Sequence, residues 1–272
     1  MLKTRILTAL ALLPLMLGML FYANEHVWAT FSGVIALLAL WEYSRLAGMP
    51  KPMWVTYLAL TLACGYMIYR FDYLKITLVE HGVVLLFWFV VSPLWLKFKW
   101  SIKPGFVAFV LGWVLLFPFW LALVQLHKNF GPKVLLAVMA LVWVADIGAY
   151  AFGRLFGKHK LAPAISPGKS WEGVVGGSVC VLIYVFIIKN LGWWPFELPH
   201  IVFWILFALV FTAVSVEGDL LESWFKRSAG IKDSSNLLPG HGGVYDRVDA
   251  MISVLSVFAA FQAYFIYFWR VM

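Results

Sequence analysis

Apolar residues in this chain gather into runs of about 20 positions separated by short polar stretches. The runs cover 6–23, 27–46, 54–70, 78–96, 106–126, 134–153, 171–189, 200–220 and 247–270. Roughly 20 residues of helix are needed to cross a hydrocarbon core about 30 Å thick, so each run predicts a membrane-spanning helix. The expected fold class is all-α, a polytopic integral membrane bundle of about nine helices. Short connections leave no room for a separate soluble domain, and residues 1–272 are expected to form a single membrane domain.

Charge sets the direction of the bundle. Of the 21 Lys and Arg, the six at Arg70, Lys75, Lys128, Lys133, Lys189 and Arg270 fall on one predicted side, and the other fifteen, from Lys3 and Arg5 to Arg247, fall on the opposite side. Positive residues in short loops stay cytoplasmic, so the amino terminus is expected inside and, after nine crossings, the carboxy terminus outside. The net charge of +8 then follows from orientation and anionic headgroups. Nucleic acid is not an expected partner, because no soluble basic face exists to hold it. The first run follows Lys3 and Arg5 as a signal peptide's would, but Phe21 stands where cleavage after Ala23 needs a small residue, so a retained helix is expected. Cys64 and Cys180 lie in separate runs and read as packing residues rather than a disulfide or metal pair. Pro14, Pro93 and Pro118 predict kinks. Trp28, Trp54, Trp100, Trp193 and Trp194 sit near run ends, as interfacial anchors or packing residues.

In a chain that is 63% hydrophobic and 12% charged, clustered charge marks the place to look for chemistry. Inner connections before residue 133 carry little beyond Lys and Arg, whereas those after it lengthen and gain acids, Gly, Ser and His. Residues 1–133 therefore read as scaffold helices and 134–272 as catalytic helices and loops. An ionisable residue inside a span costs at least about 2.5 kcal/mol, which singles out Asp146, either a structural partner of Arg154 two turns away or part of a site. The loop 153–173 supplies Arg154, Lys158, His159, Lys160 and Lys169 with Gly157, Gly168 and Ser170, a composition that holds phosphate oxygens. Ser170 and Glu172 also fit a helix cap. Asp219, Glu222 and Ser223 share one helical face, and Glu222 precedes Lys226 by four, whereas Glu217 faces elsewhere.

The densest segment runs from Ser223 to Asp249. Pro239, Gly240, Gly242 and Gly243 form a turn feeding the last helix, and a helix amino terminus is a ready anion site. Asp246 and Asp249, three apart, project from its first turn. Carboxylates beside a phosphate repel it unless a divalent cation lies between, and Mg²⁺ is typically held by one or two carboxylates plus phosphate oxygens. With Lys226, Arg227, Lys232, His241 and Arg247 around them, acids for a metal and bases for phosphate point to a phosphoryl or nucleotidyl transferase at the membrane surface.

The residues Ser223, Phe225, Lys226, Arg227, Lys232, Asp233, Ser235, Leu238, Pro239, His241, Gly242, Gly243, Val244, Asp246, Arg247, Val248 and Asp249 resemble the signature of the phosphatidate cytidylyltransferases, or CDP-diacylglycerol synthases, of the bacterial type. The resemblance extends to Asp146 with GRLFGKHKL and to SPGKSWEG, and is weak over residues 1–130. It implies reaction of CTP with phosphatidic acid to give CDP-diacylglycerol and pyrophosphate, with Mg²⁺ as cofactor and a monovalent cation as a candidate second ion. It implies Asp219 and Asp246 as the primary metal ligands, with Asp249 and Asp146 supporting. Lys226 and Arg247 join these acids in catalysis. Arg227, Lys232, His241, Gly242, Gly243, Ser223, Lys169 and Arg154 are the expected phosphate-binding residues. The expected partners are CTP, phosphatidic acid and membrane lipids, with a second copy of the chain as a candidate, and the expected location is the bacterial inner membrane with the site at the cytoplasmic face. A CTP-dependent lipid kinase of the polyprenol or phytol type is the alternative within the same superfamily. A lipid or ion transporter is the alternative of another class, disfavoured because transporters place charge near the bilayer midplane and often show inverted repeats.

Overall fold

Uniformly apolar runs leave the backbone no hydrogen-bonding partner in lipid except itself, so helix is the structure they adopt. The computed structural model describes residues 2–71 and 74–271, with side chains over 7–69 and 79–265. Lys3, Arg5, Arg70, Lys75 and Arg270, which enter the charge asymmetry, have side chains outside the described residues. The chain forms α1 (Leu2–Tyr22), α2 (Glu25–Leu46), α3 (Lys51–Phe71), α4 (Leu74–Leu86), a π-helical turn (Phe87–Val91), α5 (Ser92–Phe98), α6 (Phe106–Phe156), β1 (Lys160–Ala162), β2 (Ser166–Ser170), α7 (Trp171–Asn190), α8 (Ile201–Ser228) and α9 (Tyr245–Val271). Seven of the helical segments among the described residues are long and apolar enough to cross a membrane. This is an integral membrane helical bundle.

Two of the nine expected spans follow one another with no loop between them, as two helices that meet at a kink. The runs 106–126 and 134–153 both belong to the 51-residue α6, which breaks at Gly131 (φ 82°) directly before Pro132. A positive φ is cheap only for glycine, and proline has no amide to continue the ladder, so the break falls there. The fourth run also differs from a plain helix: it is α4, the π turn and α5 in series, with Ser92 and Pro93 opening α5. Pro14 and Pro118 sit inside α1 and α6. The loop expected at 153–173 contains an antiparallel hairpin, with Lys160 opposite Ser170 and Ala162 opposite Ser166. It is the one departure from an all-helical chain among the named elements.

Helix α9 is the centre of the bundle, with 67% of its apolar window buried, whereas α3 at the rim has 11%. The buried stretch of α9 from Ala250 to Ala260 is rich in Ala, Ser and Val, which lets neighbours approach closely. The α6–α7 seam works the same way. A Cβ on Gly148 would lie 2.9 Å from Cys180 Sγ, and one on Gly177 would lie 2.9 Å from the Ala145 carbonyl. Cys180 is thus a packing residue, and both cysteines are free thiols. Trp28 and Trp194 are buried rather than interfacial, and Trp28 Nε1 donates to the Leu123 carbonyl at 2.9 Å.

Candidate active site where α6, α8 and α9 meet the hairpin

Helix α8 runs eight residues beyond the apolar run that predicts it, to Ser228, and so carries Asp219, Glu222, Ser223, Lys226 and Arg227 on one rigid element. The spacing of three and four places them as the sequence reading requires. Ser223 Oγ donates to Asp219 Oδ1 at 3.2 Å, and Lys226 Nζ lies 2.6 Å from Glu222 Oε2. Glu217 lies apart from them with one carboxylate oxygen buried and unpartnered.

The acids sort into two groups. In the first, Asp219 of α8 meets Lys169 Nζ of β2 at 2.6 Å, with their side chains 30% and 22% exposed. Asp146 of α6 feels the charges of Asp219, Lys169 and Arg247, and Asp249 of α9 feels those of Asp219, Asp146 and Lys169. Among the described residues Asp249 Oδ1 accepts only from the adjacent Ala250 amide, at 2.8 Å. Three helices and the hairpin thus bring three carboxylates and one ammonium to a common, partly open place. The second group is closed. Lys226 Nζ bridges Glu222 and Asp246 Oδ1 (2.7 Å), while Asp246 Oδ2 accepts from the Ser234 amide (2.9 Å), the Ser234 hydroxyl (2.9 Å) and the Gly243 amide (2.8 Å). Both oxygens of Asp246 are therefore engaged in holding the 229–244 loop against α8.

The turn expected to cradle phosphate is built differently from the sequence reading. Gly242 (φ 81°) closes a tight turn in which Leu238 N donates to the Gly242 carbonyl and His241 N to the Leu238 carbonyl, both at 2.8 Å. The amides of Gly243, Val244 and Tyr245 all donate to protein carboxylates, the first to Asp246 and the other two to Glu42 of α2, at 3.0 and 2.6 Å. The amino terminus of α9 is filled from within, while His241 Nδ1 is buried without a hydrogen-bond partner. Glu42 is the residue that sequence reasoning passed over. The rule that singles out Asp146, an ionisable residue within an apolar run, applies equally to Glu42 in the run 27–46.

The remaining expected residues lie around this centre. Arg247 Nε donates to the His241 carbonyl at 2.9 Å, and Arg227 Nε reaches the Ile165 carbonyl of the hairpin at 3.4 Å. Lys232 is exposed on the loop. Arg154 does not pair with Asp146 but donates to Tyr150 Oη at 3.3 Å on the outside of α6. Ser170 caps α7, accepting from the Gly173 amide at 3.2 Å, while Glu172 turns back to His159, 2.6 Å from its Nδ1. Among the described residues no group of three His, Cys, Asp or Glu is arranged to cage a metal by itself. An all-oxygen set of carboxylates with an excess of negative charge does suit a hard cation that completes its shell from substrate phosphate and water.

Fold and site together define a polytopic membrane protein that gathers carboxylates and cations at one end of its bundle, an arrangement suited to handling phosphate esters. The sequence model of the Cytidylyltransferase family matches residues 3–265, and the chain belongs to that family. It is 41% identical over 264 residues to a phosphatidate cytidylyltransferase of Pseudomonas aeruginosa, covering 94% of either chain. It is 36% identical over 281 residues to one of Haemophilus influenzae, covering 94% of this chain and 96% of the relative. A Staphylococcus saprophyticus phosphatidate cytidylyltransferase is 42% identical over 133 residues, 47% of this chain and 48% of that one.

Proposed function

We propose that this protein transfers the cytidylyl group of CTP to phosphatidic acid, giving CDP-diacylglycerol and pyrophosphate, at the cytoplasmic face of a bacterial inner membrane. A phosphate oxygen of the lipid attacks the α-phosphorus of CTP, a new P–O bond forms, and the bond to the pyrophosphate oxygen breaks. The nucleophile is already ionised at neutral pH, so no strong general base is required; positioning and charge neutralisation supply the catalysis. The observation that carries the reading is the convergence of Asp146, Asp219 and Asp249 on Lys169 from three helices and a hairpin. End-to-end similarity to relatives named for this activity supports it.

Asp219, with Asp249 and Asp146, has the donor capacity to hold Mg²⁺, which when bound would neutralise charge on the triphosphate. Asp246 would join only by exchanging Lys226 at Oδ1 for the metal. Lys169 sits where it can leave Asp219 for a phosphate oxygen. Arg247, whose charge reaches Asp146, and His241, whose carbonyl accepts from Arg247 Nε, would add contacts to phosphate, with Arg227 and Lys232 supplying further positive charge. The charge asymmetry of the loops supports the cytoplasmic orientation. The test is purified protein in mixed micelles with CTP and phosphatidic acid. Equimolar CDP-diacylglycerol and pyrophosphate is the expected result, whereas release of CDP with a phosphorylated lipid would assign the chain to the lipid kinases instead.

A further inference from the structure

We infer that Glu42 is a positioning residue for the transfer reaction proposed above, capping α9 from another helix and so setting Arg247 and Asp249 in place. The first amides of any helix lack intrahelical acceptors and need them from elsewhere. On α9 they are met by a carboxylate some 200 positions earlier in the chain. Glu42 Oε1 accepts from the Val244 amide at 3.0 Å and from the Ser235 hydroxyl, and Oε2 accepts from the Tyr245 amide at 2.6 Å and the Ser234 hydroxyl at 3.0 Å. The side chain is fully buried, and no Lys, Arg or His among the described residues pairs with it. Its charge is balanced by the Val244 and Tyr245 amides, the Ser235 hydroxyl, the Ser234 hydroxyl whose one proton it shares with Asp246, and the positive end of the α9 dipole, where the sequence alone would seat a phosphate.

The contact decides where the loop lies. Residues 229–244 carry few apolar anchors, with Ile231 and Leu237 exposed, while Ser234 and Ser235 are buried through their bonds to Glu42. Gly243 passes so close that a Cβ there would collide with both the Ser234 hydroxyl and the Glu42 carboxylate. Arg247 and Asp249 stand two and four residues past Tyr245, inside the turn that Glu42 caps. Fraying of that turn would shift them, and a misplacement of about 1 Å at a reacting centre costs on the order of 100-fold. Glu42→Gln keeps the shape but turns one acceptor into an NH₂ facing an α9 amide, and Glu42→Ala removes every contact.

The test uses the full-length protein in mixed micelles with two independent readouts. Amide hydrogen exchange over 243–248 should quicken about tenfold in Glu42→Gln while α2 is unchanged. The kcat for CDP-diacylglycerol formation, per monodisperse protein, should fall about 10- to 100-fold with KM for both substrates within roughly threefold, and further in Glu42→Ala. Ser32→Ala, a buried serine on the same helix bonded only to its own backbone, should leave both readouts unchanged. Unchanged exchange in Glu42→Gln, or faster exchange with unchanged kcat, overturns the proposal. If Glu42→Gln does not fold, Ser235→Ala takes its place: faster exchange over 243–248 supports the cap and unchanged exchange overturns it. A wild-type protein that forms no CDP-diacylglycerol overturns the proposed function, while the exchange measurement still decides the cap.

Discussion

Replacing Lys226 by Met should be among the most destabilising substitutions that leave the apolar core intact. Its ammonium lies 2.6 Å from Glu222 and 2.7 Å from Asp246, whose side chains are 1% and 4% exposed. Methionine fills the same volume but leaves two carboxylates buried without a cation. Removing one partner of a buried ion pair costs about 3–5 kcal/mol, chiefly because the other charge stays desolvated. At roughly 2–4 °C per kcal/mol for a chain of this size, the unfolding midpoint should fall by about 6–20 °C. Thermal unfolding in detergent followed by tryptophan fluorescence reads this directly, since the chain has 15 Trp. Lys128→Met supplies the contrast: its partner Glu25 is 3.9 Å away and both side chains are more than half exposed, so the cost should stay below about 1 kcal/mol. Glu222→Gln added to Lys226→Met removes one of the stranded charges and should recover a good part of the loss. A fall below about 2 °C for Lys226→Met, or a double variant less stable than the single one, would refute the reasoning.

Asp219→Asn should lower turnover at least about 100-fold while the midpoint moves by only a few degrees, because Asp219 is partly exposed and pairs among the described residues only with Lys169; wild-type turnover would remove it from the proposed metal site. Chelation of divalent cations should abolish pyrophosphate release, and readdition of Mg²⁺ should restore it, with persistence in excess chelator telling against metal assistance. Gly177→Ala should cost about 1–3 kcal/mol by overpacking, since the added methyl meets the Ala145 carbonyl, and an unchanged midpoint would mean the α6–α7 seam is looser than described.

Most of the bundle was legible as sequence, because hydrocarbon thickness sets helix length and apolar composition alone reports it. So were the faces: spacings of three and four place Asp219 with Ser223 and Glu222 with Lys226 on α8, as observed. Less was legible at the ends. Residues 221–228 lie beyond the apolar run yet continue α8, as the spacing of their charges implies, because Leu221 and Phe225 are buried and carry the helix on. The 160–170 hairpin gave no periodic signal in so short a stretch. The angle at which the two helices of α6 meet depends on how much turn Gly131 and Pro132 impose, which composition does not state.

The sequence by itself determined that this is a membrane bundle, which residue types carry its chemistry, and on which helix face each lies, since these follow from local periodicity and from the cost of charge in lipid. Only the tertiary structure decided which charges meet. It placed Asp146, Asp219 and Asp249 around Lys169, closed Asp246 into a knot with Lys226 and Ser234, and filled the α9 terminus with Glu42. Every candidate acid is equivalent in one dimension; whether a carboxylate is free for a substrate or spent on the fold depends on neighbours that arrive from 12 to 203 residues away.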